Sequence, residues 1–304
     1  MISVDIFSLY SCSHILSKFL MKQRAALIVV ISAILAGFSG IFIKMMTTMD
    51  ATNIAGLRMT LPALGIGLYL KWSGIKIFRS NSPKMLLASG LNAFRLYFYF
   101  MAYIFTTVGS AAILFYCFPI FVALMGYFFL GERLSKKQWF FLFLAFVGLI
   151  ISYSHQSFSF ENKDFIGMSS ALLAGAVYAS TVIIFKSESQ NYNSTEIVFY
   201  QNIIGLFVFL PFFVTDYPAI SLHDIGICIL YTFLTGFVVF KLFFIGLKYM
   251  EASVASSIMY LEIVSAIVLS YFILDERLSV NMIIGGAMIV FSSYMINRLR
   301  IKVE

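Results

Sequence analysis

Leu124–Ser135 reads LMGYFFLGERLS and Val268–Ser279 reads VLSYFILDERLS. Aligned without gaps, the two stretches are identical at seven of twelve positions and lie 144 residues apart. Each closes one long apolar segment and precedes another. The chain is therefore a fused duplication of one unit, and the unit is a membrane one.

Composition agrees. Of 304 residues, 61% are hydrophobic and only 12% are charged, and the mean hydropathy is +0.94. A soluble domain of this size cannot keep so much apolar surface from water, whereas repeated runs of about 20 apolar residues match the hydrocarbon thickness of a bilayer. Ten such runs are legible: Ala25–Met46, Ala51–Lys71, Lys84–Phe105, Val108–Leu130, Gln138–Tyr153, Asp164–Phe185, Thr195–Val214, Leu222–Gly246, Ala252–Leu274 and Val280–Ile296. Buried strands of this length are excluded, because lipid requires backbone polar groups to be satisfied internally, as helices do. The expected fold is an all-α integral membrane protein of ten transmembrane helices. Residues 25–153 form the first repeat and 164–297 the second, with a short tail at 298–304. Residues 1–24 carry no cleavable signal pattern and read as an interfacial extension, with translation from Met21 as the alternative.

The loops set the orientation. With the N-terminus inside, fifteen Lys and Arg fall in inside segments, among them Lys71, Lys76, Arg79, Lys84, Arg133, Lys136, Lys137, Lys186 and Lys248. Three fall outside: Lys44, Lys163 and Arg277. Both termini are thus expected in the cytoplasm, and the net charge of +7 is a topology signal rather than a nucleic-acid surface. Five helices per repeat is an odd number, so the second repeat enters the membrane inverted. Inverted repeats suit a chain that opens alternately to either side.

These segments resemble a known family. Ala33–Lys44 (AILAGFSGIFIK) and Ala171–Lys186 (ALLAGAVYASTVIIFK) resemble the starts of the two repeats of EamA-type transporters, in the drug/metabolite transporter superfamily. GERLS and DERLS resemble the short turn between the last two helices of each repeat, and Tyr116–Pro119 (YCFP) and Tyr260–Ile263 (YLEI) sit where that family has an aromatic-x-x-Pro or Leu-Glu-Pro pattern. The resemblance extends from about Lys22 to Arg300. It implies the ten-helix inverted fold and a small-molecule substrate without naming that substrate. Ile263 departs from the pattern, so the proline that would kink the ninth helix is missing; Pro119 keeps the kink in the fourth.

Four ionisable residues lie deep in apolar runs: Arg58, Arg95, Lys241 and Glu262. Charges at this depth face a cavity or a partner. At the repeat offset Arg95 matches Val239, Lys241 matches Tyr97 and Glu262 matches Phe118, while Arg58 matches Gln201 at 143. The shared scaffold does without these charges in the other half, so they break the symmetry as a ligand site would. Glu262, the one carboxylate at membrane depth, either pairs with Lys241 or Arg95 as a structural group or binds a cationic moiety or a coupling proton. Arg58 either anchors the second helix or binds. Arg95 and Lys241 both belong to third helices of their repeats and are expected at the central cavity. Three cations against one anion favour a solute with an anionic group.

Tyr99 and Tyr103 share a face with Arg95 at four-residue spacing, and the resemblance implies cavity positions for Tyr116, Tyr178 and Tyr260. Such rings stack on planar groups or hydrogen-bond polar ones. Ala33 and Gly37, and Ala171, Gly175 and Ala179, recur every fourth residue and read as close helix packing. Asn92, Gln201 and Asn202 read as interhelical hydrogen-bonding groups.

No His-Glu-x-x-His, Gly-x-Ser-x-Gly or Walker sequence occurs, and His14, His155 and His223 lie in the tail or in loops. Of three cysteines, Cys117 and Cys228 lie in apolar runs, against a disulfide framework or a metal cluster. The expectation is therefore no enzyme, no cofactor and no metal, but a secondary transporter of a small polar metabolite such as an amino acid, driven by its own gradient or by protons. It would sit among membrane lipid, in a bacterial inner membrane. Uptake of a nucleosidic metabolite such as S-adenosylmethionine is the runner-up, and a non-transporting membrane subunit is the alternative from another class. The duplication supplies the symmetry within one chain and leaves monomer or homodimer open.

Overall fold

The structure, a computed structural model, describes residues 21, 23–79, 81–106, 108–154, 162–216, 219–274 and 279–303. Most of the N-terminal extension, most of the 154–163 linker and the Asp275–Glu276–Arg277 turn lie outside them. Regular structure among the described residues is helical throughout. The first unit comprises α1 (23–36) and α2 (Ser39–Met45), α3 (Ala51–Trp72), α4 (Ser82–Phe105), α5 (Val108–Phe115) and α6 (Phe118–Met125), and α7 (Lys136–Ser152). The second comprises α8 (Asn162–Ser187), α9 (Ser194–Asp216), α10 (Leu222–Tyr231) and α11 (Phe240–Tyr249), α12 (Ala252–Ile258) and α13 (Leu261–Leu274), and α14 (Val280–Val303). Wider π-helical turns follow α6, at Gly126–Leu130, and join α10 to α11, at Thr232–Val239.

Seven helices among the described residues are long and apolar enough to cross a membrane. The other three expected spans are helices as well: α3 and α4, of 22 and 24 residues, and α7, whose 17 residues sit at the lower bound for spanning.

Which helices touch reveals the symmetry. α3 packs along α9, α7 along α14, and α6 against α12, each a contact between corresponding helices of the two units. α4 packs along α8. Its counterpart is the approach of α1 to the α10–α11 helix, where Ser32 Oγ donates to the Val239 carbonyl at 2.8 Å. Tyr116 and Tyr260, equivalent at the 144 offset, meet each other: the Tyr260 hydroxyl donates to the Tyr116 carbonyl at 2.9 Å, with rings stacked 6.2 Å apart. A residue can touch its own equivalent only near a pseudo-two-fold axis.

The small-residue faces serve close packing on both sides of that axis. A Cβ on Gly175 would stand 2.7 Å from the Phe115 carbonyl oxygen, and one on Gly37 would stand 2.5 Å from Ser265 Oγ. The missing proline does not straighten the ninth helix. α12 still ends at Ile258 and α13 begins at Leu261, bridged by short turns from Glu262 N to the Met259 carbonyl and from Ile263 N to the Tyr260 carbonyl.

Loops gather on two faces, as alternating crossings require. On one, Arg79 pairs with Glu196 and donates to the Asn191 carbonyl, Asn81 and Lys84 bind Glu188, and Lys186 donates to the Leu247 and Met250 carbonyls. On the other, Thr48 binds Asp224, Asn53 binds Asp216, and Asn281 binds Ser154. The repeated turn gains a physical reason on the first face. Glu132 leaves its own unit and accepts from Ala252 N at 2.7 Å and from Ser253 N and Oγ at 3.2 and 2.9 Å, capping α12 of the other unit. Ser135, in the same turn, caps α7 in a reciprocal box with Gln138.

Glu132→Ala frees the first amides of α12 and should destabilise the protein by about 1–2 kcal/mol; an unchanged melting temperature would refute the cap. Burial raises the Glu188 carboxyl, but hydrogen bonds from Asn191, Asn81 and Lys84 outweigh it and hold the carboxyl below its ordinary value. Its stabilisation is present above the unfolded carboxylate range and is lost as pH falls through the folded value. The gap in melting temperature between the wild type and Glu188→Gln should narrow from about pH 7 to about pH 3; a constant gap would show that the charge on Glu188 contributes nothing.

Candidate functional site

At the centre lies a cavity of about 90 Å³. Its walls come from both units: Ala36 and Ser39 of the first helix, Arg58 of α3, Arg95 and Tyr99 of α4, Phe115 and Phe118 around the α5–α6 break, Tyr178 of α8, the π-helical stretch of the eighth helix, and Glu262 of α13. A dry cavity of about 150 Å³ admits benzene, so in this state the gap has room for water, and an aromatic solute would need it to widen.

Arg58 and Arg95 are 7% and 5% exposed. Arg95 Nε donates to Asn92 Oδ1 at 3.1 Å, and Asn92 in turn donates to the Gln201 carbonyl at 2.8 Å, so the amide at membrane depth orients the guanidinium. The cation lies 4.9 Å over the Tyr178 ring and 6.0 Å over that of Tyr99, while Arg58 lies 5.2 Å over Phe240. Arg58 Nε and Arg95 Nη2 are buried and have no hydrogen-bond partner among the described residues. Rings share some of the charge but accept no N–H bond at these nitrogens.

Glu262 is half-buried at the cavity wall and bonded to the Tyr116 hydroxyl. No Lys or Arg among the described residues pairs with it within 4.0 Å. The structural reading of Glu262, pairing with Lys241 or Arg95, is thus not what the side chains do. Arg58, Arg95 and Glu262 stand around a gap with no ion pair between them within 4.0 Å.

The structure brings Arg58, Arg95, Tyr99, Tyr178 and Glu262 together at the cavity. Tyr116 stands behind Glu262, and Tyr260, fully buried, packs against Tyr116 rather than lining the gap. The Tyr103 side chain lies outside the described residues. Lys241 is elsewhere: its ammonium sits 5.2 Å over Phe237 in a lateral groove. The reason is helical phase. The counterpart of Arg95 is Val239, which does line the cavity; two residues further on is about 200° around the helix.

The same phase locates what the reading of the sequence missed. Tyr231, Thr235, Val239 and Phe243 recur every fourth residue and all face the cavity, with Ser39 opposite. Taking Val239 as the mark of the inner face would have found them.

Two inverted units around a charged central cavity define the class of membrane transport proteins. Residues 23–154 and 165–298 each match the EamA-like transporter family, and the chain belongs to it. It is 26% identical over 211 residues to the pseudopaline exporter CntI of Pseudomonas aeruginosa, covering 68% of this chain and 72% of that one. An uncharacterized transporter of Archaeoglobus fulgidus is 27% identical over 266 residues, 86% of this chain and 92% of that one. The S-adenosylmethionine uptake transporter of Rickettsia bellii is 22% identical over 183 residues, 60% of this chain and 61% of that one. A solved crystal structure superposes with a TM-score of 0.81 over 93% of this chain and 99% of its own at 15% identity, which speaks for the fold alone.

An unmatched buried cation opposes folding, and replacing it with an apolar side chain of similar length relieves that. Arg95→Met should raise the melting temperature of the ligand-free protein, by about 1–3 kcal/mol in stability. A fall would mean that the cation-to-ring contacts and Asn92 already compensate the charge.

Proposed function

We propose that the protein is a secondary transporter that moves a small zwitterionic metabolite, an amino acid or a related compound, by alternating access. The observation that carries this reading is the unmet charge in the cavity. Arg58 and Arg95 present buried N–H groups to an anionic group, and Glu262 presents a carboxylate to a cationic one. A ligand bearing both would meet the carboxylate and the two guanidinium N–H groups, Arg58 Nε and Arg95 Nη2, that have no partner among the described residues. The site draws its residues from both units, so each can hold the solute while the other moves. The contacts of Arg79, Asn81 and Lys84 with Glu188 and Glu196 join the units across one face. Breaking them would open that side.

From the basic loops we infer that this face, with both termini, is cytoplasmic and that the membrane is a bacterial inner membrane. Glu262 is the group that would exchange a proton for a cationic moiety if protons drive the cycle. A nucleosidic solute is the second reading. Tyr99, Phe115 and Tyr178 form an aromatic wall beside Arg95 that suits a planar base, and a relative is an S-adenosylmethionine uptake transporter.

Purified protein titrated with amino acids, nucleosides and S-adenosylmethionine should melt later with the true solute, because a ligand that binds only the folded state stabilises it. A zwitterionic amino acid should stabilise, and its affinity should fall about 10–100-fold in Arg95→Ala and in Glu262→Gln. Stabilisation by nucleosides alone would transfer the reading to the second solute class. Stabilisation by none, or a hit unaffected by both substitutions, would overturn the site.

A further inference from the structure

The lateral groove that holds Lys241 is separate from the central cavity. Its volume is about 550 Å³, and it runs between α3 and the eighth helix. Its floor is apolar, with Leu61, Ile66, Ile229, Phe233 and Phe237. Among the described residues Lys241 has no acidic partner within 4.0 Å. A cation on the lipid side of a helix, unpaired, calls for an anion from outside the chain.

Depth decides which anion. Leu222–Tyr249 is a continuous stretch of 28 residues, about 42 Å long. Against about 30 Å of hydrocarbon, about 6 Å projects at each end. Lys241 precedes Tyr249 by eight residues, about 12 Å, so its Cα lies about 6 Å below the hydrocarbon boundary. A lysine stem spans that distance and delivers its ammonium to the headgroup level. Tyr69 and Thr195, which also line the groove, lie in the last turn of α3 and the first of α9, at the same interface. Trp72 is exposed beside them, as an interfacial aromatic would be. In the other direction Phe233 lies eight residues from Lys241, about 12 Å deeper and so about 18 Å below the boundary, close to the half-thickness of the hydrocarbon that one acyl chain spans.

We propose that this groove is a binding site for an anionic phospholipid of the leaflet facing the basic loops, with the phosphate on Lys241 and one acyl chain along Leu61, Ile66 and Phe233. The occupant would bear on transport, because the groove shares its walls with the cavity. Pro62 lies four residues from Arg58 in α3, and the π-helical turn that gives Thr232, Phe233 and Phe237 to the groove gives Thr235 and Val239 to the cavity.

The test is the melting temperature of the detergent-purified full chain with dioleoyl phosphatidylglycerol or dioleoyl phosphatidylcholine, paired with native mass spectrometry of retained lipid. The anionic lipid should raise the melting temperature by about 5 °C at a hundredfold excess over its dissociation constant, and the neutral one much less. Lys241→Gln should erase the difference. Gly65→Leu should do so with the lysine intact, because a Cβ at Gly65 meets nothing within 4 Å and the side chain would fill the groove; this arm decides the matter if Lys241→Gln fails to fold. Equal stabilisation by both lipids, a preference that survives Gly65→Leu, or an effect of sodium oleate that phosphatidylglycerol lacks would each overturn the proposal.

Discussion

In hydrocarbon an unpaired backbone N–H or C=O costs several kcal/mol, and that constraint decides where this chain is free to be irregular. α3, α4, α7, α8, α9 and α14 are continuous. The interruptions fall in the other helices: between α1 and α2, between α5 and α6, in the two π-helical turns, and between α12 and α13. All four of these helices contribute to the cavity wall. The site gathers side chains from these interrupted helices and from the continuous α3, α4 and α8.

Helices and duplication were legible because the bilayer fixes the length of each apolar run and the unit is written twice. The motif GERLS was legible as a mark of repetition but not as a device, since Glu132 acts on α12, 120 residues away in sequence. The break at Met259–Tyr260 has no proline to mark it in the sequence, where Ile263 stands instead. A proline is one way to interrupt a helix, but here Tyr260, tied to the Tyr116 carbonyl, holds the interruption without one.

The charged residues were found from the sequence, but their facing was not always. Arg58, Arg95 and Glu262 reach one cavity, and Lys241 does not. Burial depth alone cannot separate a cation at the central cavity from one in a lateral groove. Helical phase can, once one position on the inner face is fixed, and Val239 as the counterpart of Arg95 was that position. Tyr231 and Thr235 follow from it.

The contact between Tyr116 and Tyr260 carries one more consequence. Two separate copies of a five-helix unit, assembled head to tail across the membrane, would bring this tyrosine against itself, and every nearby residue would appear twice. A carboxylate at the position of Glu262 would then look across the cavity at its twin, because Phe118 lines the same gap. Two like charges so close in low dielectric would force one to hold a proton. Joining the copies into one gene lets the chain keep a phenylalanine on one side and an acid on the other. The cavity thereby acquires a polarity, with a front and a back to present to an asymmetric molecule, which no assembly of identical subunits around that axis can have.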